Sequence, residues 1–353
     1  MSHKKVHIML LGPVTNVEKN LIGGATILFG YLQDYLDNNN ESYTLINTQK
    51  YPQSIKRILN PIYVLAMVMM HIWSADVFFL NSSRGGTKLL APILYFLARI
   101  FRKKFVFRPF GGNLNEYTNQ YNKIQKWIFT NTVLKADILF LETKSLMRYY
   151  ADSDANIKQL PTSRINPTEE LLSKEKTYQK RFIYLGFINQ EKGIDIILEA
   201  AKNLGPEYKI DLYGPIMDQR YQESLPISGL YQGVLNKEEV LSKLNEYDVL
   251  LLPTYYEGEG YPGAIIEAYS LGIPVITTHW RSIPEIVENR KTGLLIQPKS
   301  SSELLVAMKH FNSENFINYS KNARAYFLEN FYSHSVNRRA IALVKDLFNN
   351  PVN

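Results

Sequence analysis

Short apolar runs alternate along this chain with longer amphipathic stretches, and that alternation most restricts its fold. Strand-like runs lie at Val6–Leu11, Tyr43–Ile46, Val77–Leu80, Phe105–Arg108 and Ile138–Leu141. Helix-like stretches separate them: from Gly23-Gly24-Ala25 to about Leu36, then Lys88–Phe101 and Asn119–Leu134. Such alternation predicts βαβ units and a parallel sheet. The pattern weakens between about Tyr150 and Lys180, where Asp152-Ser153-Asp154, Pro161, Pro167 and a charged run read as a connection. It restarts at Phe182–Leu185 and continues through Lys209–Tyr213, Val249–Leu252, Val275–Thr277 and Leu294–Ile296. Leu304–Phe311, Asn315–Asn330 and Ser335–Phe348 look like closing helices. The length of 353 residues, at about 150 per domain, suggests two domains. The expected bounds are 1–165 and 178–334. The expected class is α/β, with two Rossmann-like βαβ domains facing across a cleft.

Composition narrows the function. Cysteine is absent, which excludes a disulfide framework, a thiolate metal site and a cysteine nucleophile. Lys and Arg number 40 against 33 Asp and Glu, a net +7. Residues 1–177 carry 22 basic and 13 acidic residues, +9, and residues 178–353 carry 18 and 20, −2. The first half is therefore the one suited to a polyanionic or anionic-surface partner. Val6–Leu11 is too short and too interrupted for a signal peptide. Ile58–Trp73 contains Asn60, Pro61 and His71 and falls short of the ~20 residues a spanning helix needs. The expectation is a cytoplasmic protein, peripheral at the inner face of the membrane.

Three strand runs end in glycine: Gly12, Gly186 and Gly214. Ligands of open α/β sheets bind beyond the carboxyl ends of strands, where glycine permits close approach. The most informative segment is Pro253–Thr278, PTYYEGEGYPGAIIEAYSLGIPVITT. A buried strand leads into a polar glycine-rich loop, then a helix from about Gly263 to Leu271, then a second buried strand. The helix N-terminus should offer free N–H groups to an anion such as a diphosphate. Glu259 and Glu267 frame it, with Glu257 nearby. Carboxylates so placed suit sugar or ribose hydroxyls, since they would repel a phosphate.

The segment E-G-Y-P-G-A-I-I-E-A, with the downstream LGIPVI and IPEIVE, resembles the retaining glycosyltransferases of family 4, bacterial polysaccharide-type enzymes of the GT-B architecture. FIYLGFINQEKGIDIILEA (182–200) is similar to that family's donor segment. The resemblance implies that Glu259 holds donor-sugar hydroxyls, with Lys192 stabilising the departing diphosphate as the other catalytic residue. It implies that Glu267 holds the ribose. Gly260, Tyr261, Pro262, Gly263, Ala264, Gly186, Phe187 and Gly214 would bind the donor. Val234, Leu235 and Asn236, in GLYQGVLNKEE, would lie near the base. Gly23 and Gly24 match the family's first-domain glycine loop. Arg108, Phe110, Gly111 and Gly112 stand on the acceptor side. A helix at about 335–349 would pack back on the first domain. Two positions depart from the pattern: Phe187 replaces the usual arginine and Phe110 the usual histidine. Arg281 or Arg164 is the candidate compensating cation.

The implied reaction transfers a sugar from a nucleoside diphosphate donor to a saccharide or lipid-linked saccharide, with retention at the anomeric carbon and without a cofactor. Asp152-Ser153-Asp154 is formally the D-x-D of metal-dependent transferases, but it lies in the connection and not at the end of a central strand. The six histidines show no metal-ligand spacing, so no metal is expected. No nucleic-acid motif accompanies the basic half, so nucleic acid is not an expected partner. A non-catalytic nucleotide-sugar binder is the rival reading. Lys56-Arg57 and Arg99–Lys104 adjoin the two most apolar stretches, which makes an anionic membrane surface an expected partner.

Overall fold

The computed structural model describes residues 5–14, 23–51, 56–173 and 176–349, with the side chains of 56–58 left out. The side chains of Lys56 and Arg57, named above beside an apolar stretch, therefore lie outside the described residues. The chain forms two compact units, 1–161 with 333–353, and 162–332.

The first unit contains β1 (Ile8–Gly12), β2 (Tyr43–Asn47), β3 (Val77–Ser82), β4 (Lys104–Pro109), β5 (Ile138–Leu141) and β6 (Ile157–Gln159). They form one sheet in the order β2-β1-β3-β4-β5-β6, all parallel. Strand residues alternate between its faces. Met9, Leu11, Phe78, Leu80, Phe105 and Phe107 join one core, with Val64 and Val68 of the helix Lys56–His71 and Leu94 and Ala98 of the helix Leu90–Ile100. Ile8, Leu10, Val77, Phe79 and Val106 join the other. There they meet Leu32 and Leu36 of the helix Gly24–Asn38 and Ile341 and Val344 of the helix Ser333–Asn349. Because both faces are covered, the central strands are mostly apolar, with the polar residues Asn81, Ser82 and Arg108 toward their carboxyl ends.

The second unit contains β7 (Arg181–Leu185), β8 (Lys209–Tyr213), β9 (Val249–Leu252), β10 (Val275–Thr278) and β11 (Gly293–Ile296). Their order is β11-β10-β9-β7-β8, again all parallel. From β7 the chain first adds β8 on one side, then β9 to β11 on the other. The winding reverses between β7 and β9, and the crevice outside the carboxyl ends of those strands is where such sheets bind ligands. The first sheet reverses likewise between β1 and β3.

Two short helices precede stretches expected to be helical. The helix Leu90–Ile100 fills the expected Lys88–Phe101 stretch after the separate helix Arg84–Lys88, and Pro92 sits in its first turn, where its missing N–H costs nothing. The expected Asn119–Leu134 stretch follows the short helix Leu114–Asn119 and holds the helix Lys123–Asn131. Asn122 caps the latter by accepting the Gln125 N–H at 2.9 Å, so a fresh helix starts there. The stretch read as a connection is also structured. Ile157–Gln159 pairs with β5 as an edge strand, and Glu169–Leu172 forms one helical turn. A three-residue strand and a four-residue helix carry too little periodicity to be seen in sequence.

Candidate active site

A pocket of about 340 Å³ opens in the second unit. Three strand ends supply its walls: Tyr184–Leu185 with Gly186 and Phe187 after β7, Gly214 and Pro215 after β8, and Leu252 at the end of β9. Pro262, Gly263, Ala264 and Glu267 bring in the N-terminus of the helix Gly263–Ser270. Its free N–H groups and dipole favour an anion at this spot.

Close backbone approach builds the floor. Gly214 has φ +141°, and a Cβ there would lie 1.8 Å from the Gly186 carbonyl oxygen. Beyond β7 the chain makes a single 3₁₀ turn, Gln190–Lys192, which carries Lys192 at its end. Asn189 caps that turn by accepting the Lys192 N–H at 3.0 Å. Gly193 follows at φ +80°, a left-handed conformation, where a Cβ would sit 2.2 Å from the Pro253 carbonyl oxygen. The helix Ile194–Ala201 begins only after it. The Tyr255 N–H then donates to the Glu191 carbonyl at 2.7 Å, tying the loop after β9 to the turn after β7.

That tie places two sequence-predicted residues in contact. Lys192 Nζ donates to Glu259 Oε2 at 2.6 Å, across 67 residues of chain. Thr254 Oγ1 donates to the same oxygen at 2.8 Å. The lysine side chain is 15% exposed and the carboxylate 9%, so the pair is largely desolvated. The ammonium also lies 4.8 Å from the Tyr256 ring centroid, a cation–π contact. Burial first, then the Glu259 charge, raises the Tyr184 hydroxyl well above its ordinary range, and that hydroxyl donates to the Phe187 carbonyl at 2.6 Å.

A second charged pair stands at the helix. Arg164 Nε donates to Glu267 Oε1 at 2.6 Å, although 103 residues separate them. Its Nη2 would be 1.8 Å from any Cβ at position 263, so Gly263 makes room for the guanidinium beside the helix start. Of the two candidate compensating cations, Arg164 thus reaches Glu267, and Arg281 instead pairs with exposed Glu257 at 3.3 Å.

Other named residues are placed as follows. Val234 and Leu235 line the pocket with Val240 as an apolar wall. Asn236, Gly260 and Tyr261 are not among the lining residues. Asn236 caps the 3₁₀ turn Lys237–Glu239, and Tyr261 is buried with its hydroxyl donating to Glu285 at 2.7 Å. In the first unit, Gly23 caps the helix that Gly24 opens. Arg108 is buried beneath Phe110, 5.2 Å from its ring centroid, and desolvation lowers it to about 10 against the opposing pull of Glu142. Gly111 takes φ +95° just beyond, with Gly112 next in the loop after β4. A separate pocket of about 410 Å³ at the first unit's reversal point is lined by Thr48, Gln49, Asn60, Ser82 and Ser83, and not by these residues. Asp154 of the D-x-D is a surface acid paired with Lys135 at 2.8 Å.

Residues 168–329 match the protein family described as Glycosyl transferases group 1. That match lies wholly within the second unit. Over 78% of its length this chain is 22% identical to a 41.2 kDa protein of the cps region of Klebsiella pneumoniae, covering 80% of that one. It is 28% identical to the amylovoran biosynthesis glycosyltransferase AmsK of Erwinia amylovora, over 42% of each chain. Among solved structures, sucrose-phosphate synthase of Thermosynechococcus elongatus superposes with a TM-score of 0.75 at 17% identity, covering 98% of this chain and 99% of that one. Anabaena HepE in complex with UDP gives 0.72 at 15%, covering 97% and 100%. These likenesses show a shared two-domain α/β fold of the GT-B class.

Sequence reasoning passed over Thr254 and Tyr256 of the second unit, although both stand in the segment it singled out. The strand end at Leu252 was the available signal, because the residues just beyond a central strand point into the crevice. Arg164 was named as a candidate cation, but nothing local marked Glu267 as its partner.

Proposed function

We propose that this protein is a retaining glycosyltransferase of family 4, moving a sugar from a nucleoside diphosphate donor to a saccharide or lipid-linked saccharide acceptor in surface polysaccharide assembly. The observation that carries the reading is one pocket holding Glu259, Glu267 and Lys192 at a helix N-terminus. AmsK, named for amylovoran biosynthesis, and the UDP complex of HepE support the acceptor and donor classes.

The base packs against Val234, Leu235 and Val240, and the ribose bonds to Glu267. Arg164 orients that carboxylate. The diphosphate lies on the N–H groups at Gly263 and Ala264, and Lys192 adds a cation as charge grows on the leaving group. Such preorganised electrostatics usually supply the largest part of catalysis. Both bonds to Glu259 use Oε2, so its Oε1 is the oxygen that accepts from a donor-sugar hydroxyl. In this reading the acceptor attacks from the face the diphosphate leaves, so no protein nucleophile and no metal is required. The acceptor belongs to the first unit.

The test is release of nucleoside diphosphate and formation of a glycosylated product across a panel of donors and acceptors. Glu259→Ala should reduce transfer by about 100-fold or more while nucleotide affinity changes far less. Transfer that survives Glu259→Ala would defeat the site assignment. Nucleotide-sugar binding without turnover across the panel would favour the non-catalytic binder, the reading that Phe187 and Phe110 favour.

A further inference from the structure

Three helices lie on one face of the first sheet: Lys56–His71, Leu90–Ile100 and Lys123–Asn131. Their inward sides share one core. Their outward sides are unusual for a surface exposed to water. On and just past the first helix, Ile62, Met69, Met70 and Trp73 all point outward, and Met70 and Trp73 are 69% and 79% exposed. No Lys, Arg, Asp or Glu occurs from Leu59 to Ala75, so this outer stripe carries no formal side-chain charge over more than three turns. An amphipathic surface helix ordinarily has a polar outer face. The second helix continues the apolar surface with Phe96 and Ile100, and Trp73 touches Phe101 edge-on at 5.5 Å between centroids. The third adds Ile124 and Trp127. A groove of about 330 Å³, lined by Leu89, Pro92, Tyr121 and Ile128, joins the last two helices.

Cations border this surface. Residues 56–135 contain 12 basic residues and two acids, Asp76 and Glu116, a net +10, though Arg108 is buried and Asp137, just beyond, pairs with Arg99 and Lys104. Exposed Lys123 and Lys126 flank Ile124 and Trp127, and exposed Arg102 follows Ile100. Among the described residues no helix is long and apolar enough to cross a membrane. Large contiguous apolar patches mark interaction sites. Apolar side chains with tryptophan, bordered by Lys and Arg, match the interface of a bilayer with anionic headgroups. A second copy of this chain would bring two rings of cations face to face, which Coulomb repulsion opposes.

We infer that the outer face of these three helices docks this protein on an anionic lipid bilayer, with Met70, Trp73, Phe96 and Trp127 entering the headgroup region and Arg102, Lys123 and Lys126 meeting lipid phosphates. Leu89 lines both the apolar groove and the polar pocket at the first unit's reversal point. The docked face therefore extends to the mouth of that pocket, where the carbohydrate end of an amphiphile would stand. The surface itself does not depend on the transfer reading.

The experiment uses the full chain and sucrose-loaded vesicles of phosphatidylcholine, with and without phosphatidylglycerol. Cosedimentation should require phosphatidylglycerol and fall severalfold in high salt. Trp73 and Trp127 should be quenched by brominated acyl chains. Met70→Asp with Trp73→Asp should lower partitioning at least tenfold, and Lys123→Ala with Lys126→Ala severalfold, while nucleotide binding stays unchanged. Vesicle binding that ignores both double variants overturns the inference, as does no binding to anionic vesicles. So does a dimer in solution that the Met70→Asp, Trp73→Asp variant converts to monomer, which would assign the face to a second copy. The quenching measurement, made on the unaltered chain, decides the matter if a variant fails to fold.

Discussion

Both sheets reverse their winding once, and both carry a pocket at that reversal, yet the two pockets differ in chemistry. In the second unit the lining includes Lys192, Glu259 and Glu267. In the first, the described lining includes only uncharged groups, among them Thr48, Gln49, Ser82 and Ser83. Net charge runs the other way. The first unit has 22 basic and 11 acidic residues, +11, and the second 18 and 22, −4. Topology thus decides where a pocket forms, and the loops after each strand decide what it can hold. The second unit keeps its decisive charges inside as pairs. The first spreads its cations outside, around an apolar face.

If this contrast is right, substitutions inside the second unit should cost folding stability, and substitutions on the outer face of the first should not. The largest effect is expected of Lys192→Met. It leaves the Glu259 carboxylate buried without its cation, and breaking such a pair costs about 3–5 kcal/mol. Denaturant unfolding measures this, and adding Glu259→Gln should restore most of the loss. An unchanged midpoint in the single variant would mean that the pair is solvated in solution. Gly193→Ala comes next, at about 2 kcal/mol or more, from a left-handed backbone and a collision with the Pro253 carbonyl.

A smaller effect concerns Lys176, which burial lowers to about 8 despite the pull of Asp248. Between pH 8 and the ordinary lysine value of 10.5, the unfolded chain holds a proton that the folded chain has released. Stability should therefore rise with pH in that window, by at most about 1.4 kcal/mol per unit. Lys176→Met should flatten the rise, and an identical slope in variant and parent would show that the ammonium reaches water. Smallest is Trp73→Asp, expected within about 0.5 kcal/mol of the parent, because the ring is exposed. A large loss there would mean that the tryptophan supports the fold, and the contrast between the units would blur.

Much of the fold was legible because it is written in local period. Ile138–Leu141, Lys209–Tyr213 and Val249–Leu252 have the bounds that their apolar runs indicate. Gly263 begins a helix where the loop ends. The short edge strand Ile157–Gln159 was not legible, since three residues have no period to read. Of the candidate site, the segment around Glu259 and Glu267 could be chosen from sequence. Lys192 and Arg164 could be named as cations too, but not which carboxylate each reaches.

The chain's own order of residues determined two parallel α/β sheets, a helix N-terminus beyond β9 and an excess of positive charge in the first half. These follow from side-chain volume, hydrophobic spacing and glycine placement within a few residues of one another. Tertiary structure alone decided that Arg164 meets Glu267, that Lys192 meets Glu259 and that the apolar stripe from Ile62 to Trp73 faces outward. Each depends on which crossover brings which strand end beside another, or on which side of a helix the sheet already occupies. Partners that far apart in the chain leave no mark on local pattern.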